Sequence, residues 1–385
     1  MPRDHRLRVV IVVWRLGLTG GVQNVVRNVL GGLDPQRFDV HVLTVRPALA
    51  EDRLGDFPGV NFHSLEVPAS ATLTGLGKVA LAARLSYALA RLRPDVVHVQ
   101  SGTSAYSALG STGRGRLRIL DVHDAPGSGR HGRLSDRLEG LLCRRGGHLA
   151  LAHSTSVRDD LRRLYQLPDI ALRTVPLGVG DAHFAPPALD GAAWRTGLGL
   201  PRDAVLVTYV ARLVVTKNVP LFLDVVADVI AASPGLPVHG VVVAEGPERD
   251  ALQAQIDRLG LTGRLHLVGS RTGLALVDAF HAADVVLSTS DYEGFGLSVV
   301  EAMAAAKPVV ATAVGGVTDT VADGETGLLR ARGDRGGLVD AVLKLVRDPA
   351  LRQQMGVAGR ERAQERFTVQ HMVDGYVALY DEARR

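Results

Sequence analysis

Short apolar runs alternate with longer helical patterns along most of this chain, and this rhythm constrains the fold more than any other feature. The runs that predict strands are Leu7–Trp14, Phe38–Val45, Asp95–Gln100, Arg118–His123, His148–His153 and Leu172–Leu177, followed by Ala204–Val210, Pro237–Ala244, Arg264–Val268, Asp284–Thr289 and Pro308–Thr312. Helical patterns lie between them, including Gly75–Leu92, Ser156–Leu164, Val219–Ala232 and Arg249–Leu259. Alternation of this kind predicts βαβ units and parallel sheets.

The length of the chain predicts two domains. Its 385 residues exceed one ordinary core, and 46% apolar residues are enough for two. We expect an α/β fold with two Rossmann-like domains, 1–183 and 184–366, that face each other across a cleft, and we interpret the Pro- and Gly-rich stretch 178–199 as a linker. Ligands of open parallel sheets bind at the carboxyl ends of strands, so residues that directly follow strands are the candidates for function.

Composition excludes several classes of protein. Aromatic residues are 4% of the chain, too few for the base-stacking surfaces that single-stranded nucleic acid needs, so no nucleic-acid partner is expected. The single cysteine, Cys143, forms no internal disulfide, which fits a reducing compartment. An apolar run of about 18 residues, as a membrane span requires, is not found. We therefore expect a cytoplasmic protein.

Charge is unevenly distributed between the two halves. Residues 1–183 hold 24 Lys and Arg against 16 Asp and Glu, a balance of +8, whereas the remainder holds 20 against 24, a balance of −4. A basic half suits an anionic partner, such as a phosphorylated molecule or the inner face of a membrane contacted peripherally. The alternative is an ordinary solvated face of scattered arginines.

A glycine-flanked glutamate follows the predicted strand Asp284–Thr289. In the segment DYEGFGLSVVE, which begins at Asp291, Glu293 occupies a strand-to-helix loop. A carboxylate has no packing reason to stand there. Gly294 and Gly296 would let the backbone approach a ligand closely.

The helix that this segment opens offers two further groups. The amides of Gly296 and Leu297 would point from its N-terminus, which suits a phosphate. Glu301, near the first turn, could accept hydrogen bonds from a vicinal diol such as a ribose. Alternatively, Ser298 and Glu301 form a capping box, in which Glu301 would only accept a hydrogen bond from the backbone amide of Ser298.

Two cations follow the first predicted strand of the second half. Arg212 and Lys217 stand in the segment ARLVVTKN, between a strand end and the start of the next helix. Two cations with a helix N-terminus can hold a pyrophosphate. The alternative is that both are surface charges that aid solubility.

The first half offers weaker signals. A Gly-rich loop with Gly20 and Gly21 follows the first strand, although its spacing is not that of a dinucleotide fingerprint. His123 ends a strand and would stand at the functional edge of the sheet, whereas His98, inside a strand, is interpreted as a core residue. Ser154 could line a site or cap a helix. No metal-ligating constellation is found, so no metal cofactor is expected.

Together these residues resemble the retaining glycosyltransferases of family 4, which have the GT-B fold. The resemblance covers nearly the whole chain, from the glycine pair at 20–21 to the C-terminal helix. Its most specific part is the E-x7-E pattern from Glu293 to Glu301 with Gly-Phe-Gly between them, and the Arg-Leu-x-x-x-Lys segment at 212–217 is the second. The chain departs from the pattern in the segment Ala-Glu-Gly-Pro at 244–247, where a Gly-x-Gly-Pro turn is usual.

The resemblance implies a role for each matching residue. The implied catalytic residues are Glu293, His123, Arg212 and Lys217, and the implied donor-binding residues are Gly20, Gly21, Arg212, Lys217, Phe295, Gly296, Leu297 and Glu301. Arg212 and Lys217 would stabilise the leaving diphosphate, Glu301 would hold the ribose, and Glu293 and His123 would lie beside the donor sugar. Residues 1–183 would form the acceptor side and 184–366 the donor side, with the helix 367–385 packing back on the first domain.

The function that follows is transfer of a sugar from a UDP- or GDP-sugar to a small-molecule or lipid-linked acceptor, with retention of configuration. Natural products, glycolipids and polysaccharides of bacteria are all plausible acceptors. The alternative hypotheses are an epimerase or phosphorylase on the same fold, or a non-catalytic sugar-nucleotide binding module. A phosphorylase would need a pyridoxal lysine late in the chain, where Lys344 stands in a charged helix.

Overall fold

The computed structural model describes residues 6–14, 21–45, 57–65, 67, 75–100, 115–123, 140–141 and 143–385, and the side chains of all of these except 75–78. The predicted site residue Gly20 lies outside the described residues. The chain divides into two compact units, residues 1–178 with 369–385 and residues 179–368. The sequence placed these boundaries at 183/184 and 366/367.

The first unit contains a seven-stranded parallel sheet in the order β3-β2-β1-β4-β5-β6-β7. Its strands are β1 (Leu7–Val13), β2 (Phe38–Thr44), β3 (Val60–Ser64), β4 (Val96–Gln100), β5 (Leu117–Val122), β6 (Leu149–Ala152) and β7 (Leu172–Thr174). Its helices include α1 (Gly21–Gly32), α2 (Gly75–Leu92), α3 (Thr155–Tyr165) and, at the C-terminus, α12 (Val369–Asp381). The central strand β1 is apolar on both faces, as expected where helices cover both faces of a sheet.

The second unit contains a six-stranded parallel sheet in the order β10-β9-β8-β11-β12-β13. Its strands are β8 (Val205–Val210), β9 (Val238–Val243), β10 (Leu265–Leu267), β11 (Val285–Ser288), β12 (Val309–Thr312) and β13 (Gly327–Arg330). Its helices are α4 (Gly191–Gly197), α5 (Val219–Ala231), α6 (Arg249–Arg258), α7 (Leu274–Ala282), α8 (Leu297–Ala304), α9 (Val317–Thr320), α10 (Arg335–Arg347) and α11 (Pro349–Arg366). Aliphatic side chains of α5 and α10 pack with those of β8, β9 and β11 in its largest core.

The interpretation of residues 178–199 as a linker is wrong for most of that stretch. Helix α4 forms within it, and Trp194 is buried against side chains of α7 and β9. Arg195 pairs with Asp284 at 2.9 Å. Because this stretch is rich in Pro and Gly, the sequence did not predict a helix here, although its apolar face belongs to the core of the second unit.

Two edge strands escaped prediction. β3 is half exposed and mixes polar with apolar residues, and β13 has four residues, so neither gives a continuous apolar run. Among the described residues, no helix is both long and apolar enough to cross a membrane.

Candidate functional site

The strand order of the second unit brings the two strongest sequence signals together. The order in which the chain adds strands reverses between the neighbours β8 and β11. Ligands of open α/β sheets bind beside the carboxyl ends of strands at such a point. The loop after β8 carries Arg212 and Lys217, and the loop after β11 carries Glu293. The three side chains are therefore brought to one edge of one sheet.

Backbone and side-chain hydrogen bonds hold the two loops against each other. The amide of Asp291 donates to the carbonyl of Thr216 at 2.9 Å, and the hydroxyl of Thr289 donates to the carbonyl of Asn218 at 2.9 Å. The hydroxyl of Tyr209, in β8, donates to the carbonyl of Lys217 at 2.7 Å. These bonds fix the position of the lysine relative to the glutamate loop.

Lys217 and Glu293 form an ion pair at the centre of this edge. The lysine Nζ lies 2.6 Å from Oε1 of Glu293, and the hydroxyl of Ser290 donates to the same oxygen at 2.8 Å. Glu293 is 8% exposed. The sequence offered no packing reason for a carboxylate in this loop, and the structure adds an electrostatic one, since Glu293 holds the lysine in place.

Arg212 differs from Lys217 in its surroundings. Its side chain is exposed, and the guanidinium group makes no hydrogen bond or ion pair within the described part of the chain. An exposed guanidinium beside a held ammonium leaves both charges available to an anion.

Three glycines let backbone segments pack on these loops. A Cβ at Gly315 would lie 1.8 Å from the carbonyl oxygen of Glu293, and one at Gly316 would lie 2.5 Å from Cα of Phe295. Gly316 also donates its amide to the carbonyl of Glu293 at 3.0 Å. Gly246, in the turn where Ala244 departs from the family pattern, packs on Leu213 in the same way, since a Cβ there would lie 2.4 Å from the carbonyl oxygen of Leu213.

The start of α8 lies in the same loop. Gly296 precedes the helix with a positive φ of 87°, and the helix begins at Leu297, so the first amides of the helix are those that the sequence predicted. Phe295 is buried and packs edge-to-face on Phe367 at 5.7 Å between ring centroids. Its side chain is therefore packed in the core, and the predicted donor contact of Phe295 stays a prediction about its backbone.

Glu301 is a carboxyl group on α8 whose side chain is 14% exposed. The helix begins one residue before Ser298, and no side chain caps it, so the capping-box alternative is wrong. Burial raises the pKa of Glu301 to about 8. A carboxyl group of this kind needs a partner that hydrogen bonds to it.

The neighbour of Glu301 is His183, which the sequence analysis did not single out. Its Nε2 lies 3.8 Å from Oε1 of Glu301, and its Nδ1 is buried without a hydrogen-bond partner among the described residues. Burial, together with nearby His281, lowers the pKa of His183 to about 4. A neutral imidazole and a protonated carboxyl thus face each other with unused hydrogen-bonding capacity. No local sequence signal joins positions so far apart in the chain.

In the first unit, His123 directly follows β5, as predicted. Its Nε2 lies 2.7 Å from Oε1 of Gln100, and its ring lies against that of His153, tilted by 35°, with centroids 4.5 Å apart. His98 is fully buried, which agrees with its interpretation as a core residue. Ser154 caps α3, since its hydroxyl accepts from the amide of Val157 at 3.2 Å. Gly21 is exposed at the start of α1.

Sequence comparison supplies the family. A model described as "Glycosyl transferases group 1" matches residues 191–362, and one described as "Glycosyl transferase 4-like domain" matches residues 20–178. Glycogen synthase of Mycobacterium tuberculosis is 30% identical over 307 residues, which are 76% of this chain and 70% of that protein. This chain belongs to the family 4 glycosyltransferases. The resemblance drawn from the E-x7-E pattern is thereby confirmed.

Other family members match over a shorter span. D-inositol 3-phosphate glycosyltransferase of Saccharomonospora viridis is 35% identical over 232 residues, 58% of this chain and 53% of that one. The chain thus spans about half the length of these curated relatives. The crystal structure of Anabaena HepE in complex with UDP aligns with a TM-score of 0.81 at 21% identity, over 98% of this chain and 100% of that one. This likeness confirms the predicted GT-B class of two parallel-sheet α/β domains.

Proposed function

We propose that this protein transfers a sugar from a nucleoside diphosphate sugar to an acceptor, with retention of anomeric configuration. The observation that carries the proposal is the Lys217–Glu293 pair beside Arg212, held where β8 and β11 end and next to the start of α8. Two cations and the amides of a helix N-terminus form a site for a diphosphate.

The two cations act on the leaving group. Negative charge grows on the departing diphosphate as the bond to the anomeric carbon breaks, so cations already in place stabilise the transition state more than the ground state. Lys217 can meet the diphosphate because an ammonium group has three N–H donors and Glu293 takes one of them. Glu293 thus orients the lysine as well as lying beside the donor sugar.

Retention follows from attack on the same face that the diphosphate leaves. The carboxylate of Glu293 receives hydrogen bonds from Lys217 and Ser290 on one oxygen, which makes that oxygen a poor nucleophile. We therefore favour a front-face reaction in which the departing phosphate takes the proton of the acceptor. Glu293 as a covalent nucleophile predicts a trapped glycosyl-enzyme, which mass spectrometry would detect.

The reaction as proposed uses no metal ion. Arg212 and Lys217 supply the positive charge that a divalent cation would bring to a diphosphate. Within the described part of the second unit, no group of three metal-ligating side chains comes together. Full turnover in EDTA is the expected result.

The proposed acceptor is anionic. The first half of the chain carries the net charge of +8, and relatives are named for a phosphorylated inositol. Lys344, the lysine that a phosphorylase would need, is exposed on α10, so nothing supports that alternative. Comparing inositol phosphate with inositol as acceptor tests this part, and equal rates at low ionic strength would contradict it.

Donor hydrolysis tests the function without knowledge of the acceptor. UDP-glucose, UDP-N-acetylglucosamine and GDP-mannose are each incubated with the protein in EDTA, and proton NMR follows the sugar released. We expect one donor to release its sugar with the anomeric configuration of the donor. Release of the opposite anomer would contradict retention, and release from none of a wider donor panel, with or without acceptors, would contradict the enzyme.

A further inference from the structure

A buried carboxylate in β5 organises the surroundings of His123. Asp121 is 0% exposed, and its Oδ2 accepts a hydrogen bond from Tyr376 of α12 at 2.7 Å and another from Nε2 of Gln100 at 3.1 Å. His98 lies 3.0 Å from the same oxygen. A carboxylate that accepts several hydrogen bonds stays ionised even when it is buried.

The other oxygen of Asp121 faces His153. Nδ1 of His153 lies 2.8 Å from the carbonyl oxygen of Val175, which can only accept, so this nitrogen carries a proton. Nε2 lies 2.8 Å from Oδ1 of Asp121. The two atoms are in contact without the alignment of a hydrogen bond, and neither has a hydrogen-bond partner among the described residues. A lone pair facing a buried carboxylate would be strongly repelled. His153 is therefore an imidazolium paired with Asp121.

The electrostatic balance agrees with this geometry. Burial alone would raise the pKa of Asp121, but the charge of His153 and a hydrogen bond from His98 hold it well below its usual value. Burial alone would lower the pKa of His153, but Asp121 raises it.

Asp121 also determines which nitrogen of His123 carries a proton. Because the amide nitrogen of Gln100 faces Asp121, its carbonyl oxygen must face His123, where it lies 2.7 Å from Nε2. A carbonyl accepts, so Nε2 of His123 donates and the lone pair of the neutral ring is on Nδ1. The ring of His123 also packs against the tilted ring of His153, which restricts its orientation.

A proton rather than a metal ion joins this cluster. Ligand atoms of Asp121, His123 and His153 lie within 4.8 Å of one another, a grouping that the sequence analysis missed. Two ligands of one zinc ion, with bonds of about 2.0–2.2 Å in a tetrahedron, stand roughly 3.4 Å apart. The 2.8 Å between Asp121 and His153 is shorter and matches an ion pair in direct contact.

We propose that Asp121 is a positioning residue that fixes the tautomer and ring orientation of His123 through Gln100 and the His153 imidazolium. Its effect on turnover rests on the proposed role of His123 beside the donor sugar. The effect of Asp121 on the tautomer and orientation of the His123 ring does not depend on that role.

Nitrogen NMR on the unmodified protein tests the geometry. With ¹⁵N-labelled histidine rings at pH 7.5, the spectrum is expected to show both nitrogens of His153 protonated and His123 protonated at Nε2. The signals are assigned by His153→Gln and His123→Asn. A neutral His153, a proton on Nδ1 of neutral His123, or a shift of these signals on adding Zn²⁺ would overturn the proposal.

Steady-state kinetics test the predicted effect of Asp121 on turnover. We expect Asp121→Asn to lower kcat about 10-fold or more with a smaller change in the donor KM, because a displaced catalytic group costs rate. In a His123→Ala background the same change should cost less than about twofold, since Asp121 acts through that ring. The matched control is Asp95→Asn, a carboxylate at the opposite end of β4 that accepts from the amide of Arg8. This control should keep kcat within about twofold of wild type.

The outcomes separate the two proposals. If His123→Ala leaves turnover intact, the role assigned to His123 fails, while the NMR result still decides the positioning of the ring. Equal losses from Asp121→Asn with and without His123 would overturn the positioning role even where His123 is needed. If Asp121→Asn does not fold, the spectrum of the unmodified protein still decides.

Discussion

The two units have related parallel sheets but use charge in opposite ways. In the second unit, Lys217 and Glu293 pair between two loops at the sheet edge, and Arg212 is exposed beside them. In the first unit, the carboxylate of Asp121 is fully buried and paired with His153. A charge that must meet a ligand is held but remains accessible, whereas a charge that orients another residue is enclosed and fully paired, because an unpaired buried charge is costly.

The largest effect on turnover is expected from removing either cation of the second unit. Arg212→Ala and Lys217→Ala should each lower turnover by about 10²-fold or more, since each removes a charge that stabilises the leaving group. They should differ in stability. Lys217→Ala leaves the buried carboxylate of Glu293 without its cation and should lower the free energy of unfolding, whereas Arg212→Ala should not.

Steady-state kinetics and urea unfolding on both variants check this prediction, with Arg258→Ala on the exposed face of α6 as the control. Near-wild-type rates in both variants would remove the basis for the diphosphate site. Equal stability losses would show that Arg212 is also held by the fold.

A smaller loss is expected where a glycine supports the glutamate loop. A methyl group at Gly315 would collide with the carbonyl oxygen of Glu293, so Gly315→Ala should displace Glu293 and lower kcat by roughly 10-fold. Gly324→Ala is the matched control, because Gly324 also has a positive φ, of 82°, but has nothing within 4 Å of an added Cβ. Its cost should be backbone strain alone, about 1 kcal/mol. If both variants keep full kcat, the loop does not depend on this contact.

The next effect concerns donor affinity and pH. Glu301→Gln should raise the donor KM several-fold, since the amide replaces a group proposed to hold the ribose hydroxyls. The pKa of Glu301 is about 8 in the folded protein against an ordinary 4.5, so folding retains a proton that the unfolded chain releases. The free energy of unfolding of the wild type should therefore fall as pH rises from about 4.5 to 8.

Urea unfolding across that pH range checks the sign. Glu301→Gln should gain stability relative to wild type as pH rises and level off above pH 8, while the exposed Glu325→Gln should track the wild type. A stability difference that does not change with pH would mean that Glu301 is not a buried titrating group.

The strands and several site residues of both units could be predicted from the sequence, whereas the contacts between site residues could not. Central strands such as β1 and β8 were predicted to within about a residue at each end, because burial on both faces requires continuous apolar runs. Arg212, Lys217 and Glu293 were singled out from their places after strands. Their pairing was not, since it depends on strand order. Asp121 and His153 were missed for the same reason, because each looks like an ordinary strand-end residue until α12 and β6 are placed beside β5.

Calorimetric titration of UDP and GDP in EDTA tests the central claim most directly. We expect the wild type to bind one of them without metal. Arg212→Ala and Lys217→Ala should each weaken this binding at least 10-fold, and Asp121→Asn should leave it unchanged. Binding that needs Mn²⁺ or Mg²⁺, or that is unaffected by loss of both cations, would contradict this claim.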